Sequence, residues 1–127
     1  MTDVFVVSAV RTAIGTFGGS LREVPPSDLG VATAREAITR ACIDPSTIGH
    51  AVYGQVLPSE PADAYLARVV AVNAGVPVET PAFTVNRLCG SGLQAIVSAA
   101  QSLLLGDCEL ALAGGAESMS RVPFHVP

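Results

Sequence analysis

The run from Leu88 to Gly106 holds nineteen residues without a single charge, and it limits the fold more than any other segment. Gly90 and Gly92 open it, and an apolar stretch rich in Ala and Leu follows. The pattern predicts a helix over about residues 90–105, stopped by Gly106. Ser91, Gln94, Ser98, Gln101 and Ser102 make the run too polar for a lipid-facing span. Gln94, Ser98 and Gln101 give only one weakly polar stripe. A helix of this kind needs protein on most sides, not one sheet face and water. It implies a thick, layered architecture. A chain of 127 residues is short of material to cover it.

Before and after that helix, short apolar runs alternate with helical ones. Phe5 to Val10 reads as a buried strand bounded by Arg11, and residues 11–24, with Gly15, Gly18 and Gly19, as a loop. Ser27, after Pro25 and Pro26, is placed to cap a helix running to about Cys42, where Asp44-Pro45-Ser46 breaks it. His50 to Leu57 reads as a second strand. Pro61 then fits the first turn of an Ala- and Val-rich helix that stops at Gly75. Pro81 to Val85 and Glu109 to Ala113 complete the strands, the last running into Gly114-Gly115. The order β-α-β-α-β-α-β predicts an α/β fold around a mostly parallel sheet.

Composition narrows the function classes. Half of the chain is hydrophobic and 14% is charged, which fits a sizeable core and not a disordered chain. The net charge is −4 and the basic residues form no run, which argues against nucleic acid and against a polybasic membrane patch. Cys42, Cys89 and Cys108 are widely spaced with no CxxC pair, and His50 and His125 stand apart from them. Neither a disulfide framework nor a metal site is expected, and a reducing, cytoplasmic setting fits. Asp3 and the short apolar run behind it make the N-terminus a strand rather than a signal peptide.

Chemistry concentrates in Thr84-Val85-Asn86-Arg87-Leu88-Cys89-Gly90-Ser91-Gly92-Leu93-Gln94-Ala95. A strand feeds a turn, a cysteine follows, and two glycines open the apolar helix. A helix N-terminus carries partial positive charge and unpaired N–H groups, which favours the thiolate form of a cysteine placed there. The glycines let a substrate approach the backbone, and the Cys89 N–H is a candidate oxyanion donor. Three readings compete at this point. In one, Cys89 is a small buried hydrophobe, as most free cysteines are. In another, Gly90-x-Gly92-x-x-Ala95 is a dinucleotide fingerprint. Asn86 to Cys89 intrude between strand and first glycine, however, and no acidic residue ends the next strand, since Asp107 and Glu109 precede it. In the third, Cys89 is a catalytic nucleophile. The residues alone leave the first and third about even.

Three stretches in register bear a resemblance. Ser8-Ala9-Val10-Arg11-Thr12-Ala13-Ile14-Gly15-Thr16-Phe17-Gly18-Gly19 resembles the thiolase N-terminal signature. Asn86 to Ala95 resembles the segment around the thiolase acyl-accepting cysteine, and Gly114-Gly115-Ala116-Glu117-Ser118-Met119-Ser120 the glycine-rich strand exit that follows it. Pro58-Ser59-Glu60-Pro61 and Asp63 to Arg68 are similar to bacterial β-ketothiolases of broad chain-length range. The decarboxylating ketoacyl synthases share the cysteine-on-a-helix design, but Arg11–Gly19 and Gly114–Ser120 favour thiolase.

The resemblance implies a layered α-β-α-β-α fold, of which residues 1–127 are the N-terminal part of the N-domain, with the loop domain and C-terminal domain absent. It implies that Cys89 accepts an acyl group from acyl-CoA in reversible Claisen condensation or thiolysis of a 3-ketoacyl-CoA. CoA is then a substrate, with no tightly bound cofactor and no metal. The family's activating histidine and second cysteine come from Gly-His-Pro and Cys-x-Gly-Gly-Gly segments that do not occur here. A homo-oligomer of the full-length protein, or a complementary C-terminal chain, is the implied partner.

Gly90, Glu117 and Ser118 are expected to line the active site, with a purely structural turn as the other reading of the last two. His50 and His125 are expected at surface or structural positions. Cys42 and Cys108 are expected to be inert thiols, and Arg68 to form a buried or interface ion pair. Asn86 and Arg87 are expected to fix the turn or a subunit contact. A non-catalytic binding or assembly module of thiolase shape is the alternative from another class.

Overall fold

The computed structural model describes residues 3–124. Three helices and three strands make up its regular structure: α1 (Pro26–Ala41), β1 (His50–Gly54), α2 (Leu66–Asn73), β2 (Ala82–Val85), α3 (Ser91–Leu105) and β3 (Ala111–Gly115). The strands form one parallel sheet in the order β2-β1-β3. Gly54 at the end of β1 pairs with Val85 on one side and Gly115 on the other, so all three strands finish at one carboxyl edge.

Successive β1 side chains point to opposite faces and feed two cores. Ala51 and Tyr53 join Ala34, Ile38, Leu66 and Val70 beneath α1 and α2. Val52 packs with Ala95 and Ala99 of α3 on the other face. The result is the α/β arrangement expected from the alternating pattern: one parallel sheet with helices on both faces. Burial pushes the Tyr53 hydroxyl pKa well above its usual value.

The helix ends follow local chemistry. α1 starts one residue ahead of the expected cap: Pro26 takes the first turn, where its missing N–H is harmless, and Ser27 is buried inside the helix. Cys42 ends α1 in the left-handed conformation (φ 55°), its amide donating to the carbonyls of Ile38 and Thr39. Pro61 opens a short 3-10 turn to Tyr65, and α2 proper begins only at Leu66. There Thr84 Oγ1 accepts from the Ala67 amide at 3.1 Å, tying the helix start to β2. Among the described residues Arg68 makes no ion pair. Its Nη1 donates to the carbonyls of Val78 and Thr80 at 3.0 and 2.8 Å, because the nearest acceptors are the backbone oxygens of the loop before β2.

Two expectations change. Phe5 to Val10 is not a strand: the segment is unpaired, with Phe5 and Val6 each 77% exposed. An apolar run becomes a strand only where a sheet edge receives it, and here this run stands apart from β3. The helix expected to be covered on most sides is covered on one. Ala95 and Ala99 are buried, while Leu93, Ile96, Val97, Leu104 and Leu105 face outward. By length and composition alone the Leu88–Leu105 window is long and apolar enough to cross a membrane. Its small residues instead lie on the sheet.

At one point the sheet and α3 touch backbone to backbone. A Cβ on Gly54 would stand 2.5 Å from the Ser91 carbonyl carbon and 2.7 Å from the Gly92 nitrogen. Only glycine fits there. Gly54→Ala is therefore expected to lower the unfolding free energy by about 3 kcal/mol, the upper end of overpacking costs. The midpoint of urea unfolding reads this directly, and an unchanged midpoint would show that α3 can back away from β1.

Candidate active site

The segment between β2 and α3 is a tight turn held by its own side chains and backbone. Asn86 Oδ1 accepts from the Leu88 amide at 3.0 Å. Ser91 Oγ accepts from the Arg87 amide at 2.8 Å and donates to the Leu88 carbonyl at 2.7 Å. The amides of Gly90 and Ser91 close the turn onto the Arg87 and Leu88 carbonyls, each at 3.0 Å. Leu88 sits at φ 49°, a left-handed conformation that disfavours any residue with a Cβ by about 1–2 kcal/mol. Such strain persists only where the surroundings over-determine it, and here five hydrogen bonds converge on a six-residue span.

Cys89 rides on that turn, one residue before Gly90, the N-cap of the fifteen-residue α3. It is exposed, so the reading of Cys89 as a buried hydrophobe is overturned. The Cys89 amide is not among the donors that close the turn. No side chain caps α3. The uncapped start of a long helix, with its partial positive charge, thus lies one residue beyond Cys89.

Loops after the other two strands reach the same edge. Glu117 lies just past β3, and both its oxygens accept backbone N–H groups from the loop after β1: Val56 at 2.8 Å and Leu57 at 3.1 Å. Val56 in turn accepts, through its carbonyl, from Asn86 Nδ2 at 3.2 Å. Ser118, next to Glu117, is buried. Farther along the β1 loop, Asp63 is buried and accepts from the amides of Ser59 and Glu60 and from the Ser59 hydroxyl. Arg87 leans along α3, its Nη1 donating to Gln94 Oε1 at 3.0 Å. The structure thus brings Cys89, Gly90, Glu117 and Ser118 to one edge, and gives Asn86 a turn-fixing role.

A cavity of about 1630 Å³ opens beside this edge, with Cys89, Gly92, Glu117 and Ser118 among its lining residues. It far exceeds the few hundred to one thousand Å³ of an ordinary ligand pocket. Its opposite wall is the detached segment from Asp3 to Phe17, so most of it is the gap between that segment and β3. Among the described residues no group of three or more His, Cys, Asp or Glu is placed to hold a metal ion.

The remaining candidates lie elsewhere. His50 begins β1, at the end of the sheet remote from Cys89; its Nδ1 is 3.0 Å from Ser102 Oγ and its ring stands edge-on to Phe83 at 5.6 Å. It is a structural anchor between sheet and α3. His125 lies outside the described residues. Cys42 caps α1, and the Cys108 thiol pKa is raised by partial burial and by the Asp107 carboxylate. Sequence reasoning missed two features: the strained Leu88, and the bonds of Glu117 to amides some sixty residues away.

Fold and turn together define an α/β domain that presents a cysteine ahead of a helix at a parallel sheet's carboxyl edge. The chain belongs to the thiolase family: the thiolase N-terminal domain matches residues 4–127. It is 62% identical over 125 residues to beta-ketothiolase BktB of Cupriavidus necator, covering 98% of this chain and 32% of that protein. It is 46% identical over 126 residues to the mitochondrial 3-ketoacyl-CoA thiolase of Bos taurus, covering 99% of this chain and 32% of that one. Human mitochondrial 3-ketoacyl-CoA thiolase, solved in complex with CoA, superposes with a TM-score of 0.93 at 43% identity, over 96% of this chain and 31% of that chain. A thiolase of Ascaris suum in complex with coenzyme A gives 0.94 at 36% identity, over 99% and 33%. The chain spans about a third of the length of the curated relatives it matches.

Two outcomes test this geometry. Leu88 is 69% exposed and has little packing to lose. Leu88→Gly is therefore expected to leave stability within about 1 kcal/mol or raise it, whereas the β-branched Leu88→Val should lower it, both read by urea unfolding. Cys108, with its raised pKa, holds less thiolate at pH 8 than an unperturbed thiol. Its iodoacetamide alkylation, followed by peptide mass spectrometry, should rise at higher pH than that of glutathione.

Proposed function

We propose that this chain supplies the acyl-accepting part of a thiolase, with Cys89 as the nucleophile. The observation that carries the reading is the exposed Cys89 on a strained, side-chain-locked turn at the start of α3. In the acyl-transfer step the Cys89 sulfur attacks the thioester carbonyl of an acyl-CoA. The sulfur–carbon bond to CoA breaks, the CoA thiolate leaves, and the cysteine's proton passes to a base. The tetrahedral oxyanion accepts from the Cys89 amide. In the synthetic direction the acyl-enzyme is attacked by the carbanion of a second acyl-CoA. In the degradative direction Cys89 attacks a 3-keto carbonyl and CoA collects the shortened acyl group.

The base for the thiol and the group that moves the substrate proton are assigned to a histidine and a cysteine of a C-terminal portion. That portion would also cover the outward apolar face of α3, either within one full-length, oligomeric protein or as a separate chain. CoA and acyl-CoA are then substrates, and a cytoplasmic setting suits the free thiols.

Incubation of the chain with acetyl-CoA, followed by intact-mass and peptide analysis, tests this. A single acetyl adduct on Cys89, absent from Cys89→Ala, is expected. A chimaera carrying these residues in place of the matching third of beta-ketothiolase BktB should cleave acetoacetyl-CoA, and Cys89→Ala should remove that activity. No adduct and an inactive chimaera would favour a non-catalytic assembly module, and activity retained in Cys89→Ala would sink the assignment.

A further inference from the structure

We propose that Glu117 is a positioning residue for the Cys89 turn, acting through the loop that follows β1; this rests on the reading of Cys89 as acyl acceptor. The structure holds an unbroken series of contacts from one to the other. Glu117 Oε2 accepts the Val56 amide at 2.8 Å and Oε1 the Leu57 amide at 3.1 Å. The Val56 carbonyl, on the same residue, accepts from Asn86 Nδ2 at 3.2 Å. Asn86 Oδ1 accepts the Leu88 amide at 3.0 Å. Leu88 is the strained residue bonded directly to Cys89.

Each link has a reason to matter. Asn86 is exposed, so its amide group would rotate freely unless both ends were engaged, and here Val56 and Leu88 engage them. The Val56 carbonyl is a fixed target only while its peptide is held. Glu117 holds it through the Leu57 N–H, which shares that peptide, with a charge-assisted bond roughly twice as strong as a neutral one. The second oxygen, on the Val56 N–H, stops the carboxylate from swinging. Two further bonds keep the three strand exits in step, Gln55 N–H to Val85 O at 3.1 Å and Ala116 N–H to Gly54 O at 3.2 Å. With both carboxylate oxygens committed to backbone, Glu117 is placed to set the direction of Cys89 and not to exchange protons with substrate.

The test compares acetyl transfer from acetyl-CoA to Cys89, by time-resolved mass spectrometry, in five variants of the chain. Glu117→Leu keeps the bulk and removes both acceptors, and should slow transfer by about tenfold, since displacements near one ångström cost up to a hundredfold. Glu117→Gln keeps one acceptor and should recover part of the rate. Asn86→Asp keeps the oxygen for Leu88 but loses the donor to Val56, and should slow transfer by about as much as Glu117→Leu. The double variant should be no slower than either single one, because both cut the same series. Val70→Ala, a core deletion on the other face of the sheet, should leave the rate within about twofold. An unchanged rate in Glu117→Leu, multiplied effects in the double variant, or an equal fall in Val70→Ala overturns the proposal.

Amide exchange separates this proposal from the assignment of Cys89. If the unmutated chain takes no acetyl group and the BktB chimaera is inactive, the acyl-acceptor reading fails. Exchange at the Leu88 amide still decides the positioning role: about tenfold faster in Glu117→Leu supports it, and an unchanged rate overturns it.

Discussion

The carboxyl end of the central strand meets the first turn of α3 with no side chain between them. Gly54 makes this contact possible, and the placement of the site follows from it. With β1 fixed against Ser91 and Gly92, the strand exits at Gly54, Val85 and Gly115 lie side by side. The chain must then leave β2 and enter α3 within five residues, Asn86 to Gly90. Within that link Leu88 takes the left-handed conformation, and Cys89 beside it is exposed.

Much of this was legible in the sequence because it depends on local chemistry. Gly106 ending α3 in a left-handed conformation and Pro45 lying just beyond the end of α1 both follow from short-range rules. What stayed hidden depends on distant partners. Phe5 to Val10 has the composition of a strand, yet pairing is a property of an edge and not of a run. Arg68 had the look of an ion pair because its charge is conspicuous in sequence, whereas the acceptors it meets are carbonyls that no sequence displays. Leu88 gave no warning either, since left-handed positions are normally marked by Gly or Asn. Glu117 could be placed at the strand exit, but its acceptor role toward Val56 and Leu57 needed the fold.

The apolar surfaces left open have one cause. α3 packs its small residues on the sheet and turns Leu93, Ile96, Leu104 and Leu105 outward, while Phe5, Val6 and Val7 stand off across a wide gap from β3. Contiguous apolar area of this kind normally marks a surface that another element covers. The thickness inferred from the charge-free run is thus consistent with α3 as one layer of a larger body, and the chain's span of about a third of its relatives agrees.

The distribution of titratable groups limits how much chemistry the described residues can do. His50 begins β1, and a five-residue strand at about 3.3 Å per residue separates it from the carboxyl edge, so it cannot reach Cys89. Its Nδ1 and its ring are already engaged by Ser102 and Phe83. Glu117 is near the turn but holds two backbone amides, and drawing it away would release the loop that steadies Asn86. The arrangement therefore favours orientation over proton transfer. In the proposed acyl transfer it would fix where the acyl group is received, and other residues would have to move the protons of thiol and substrate.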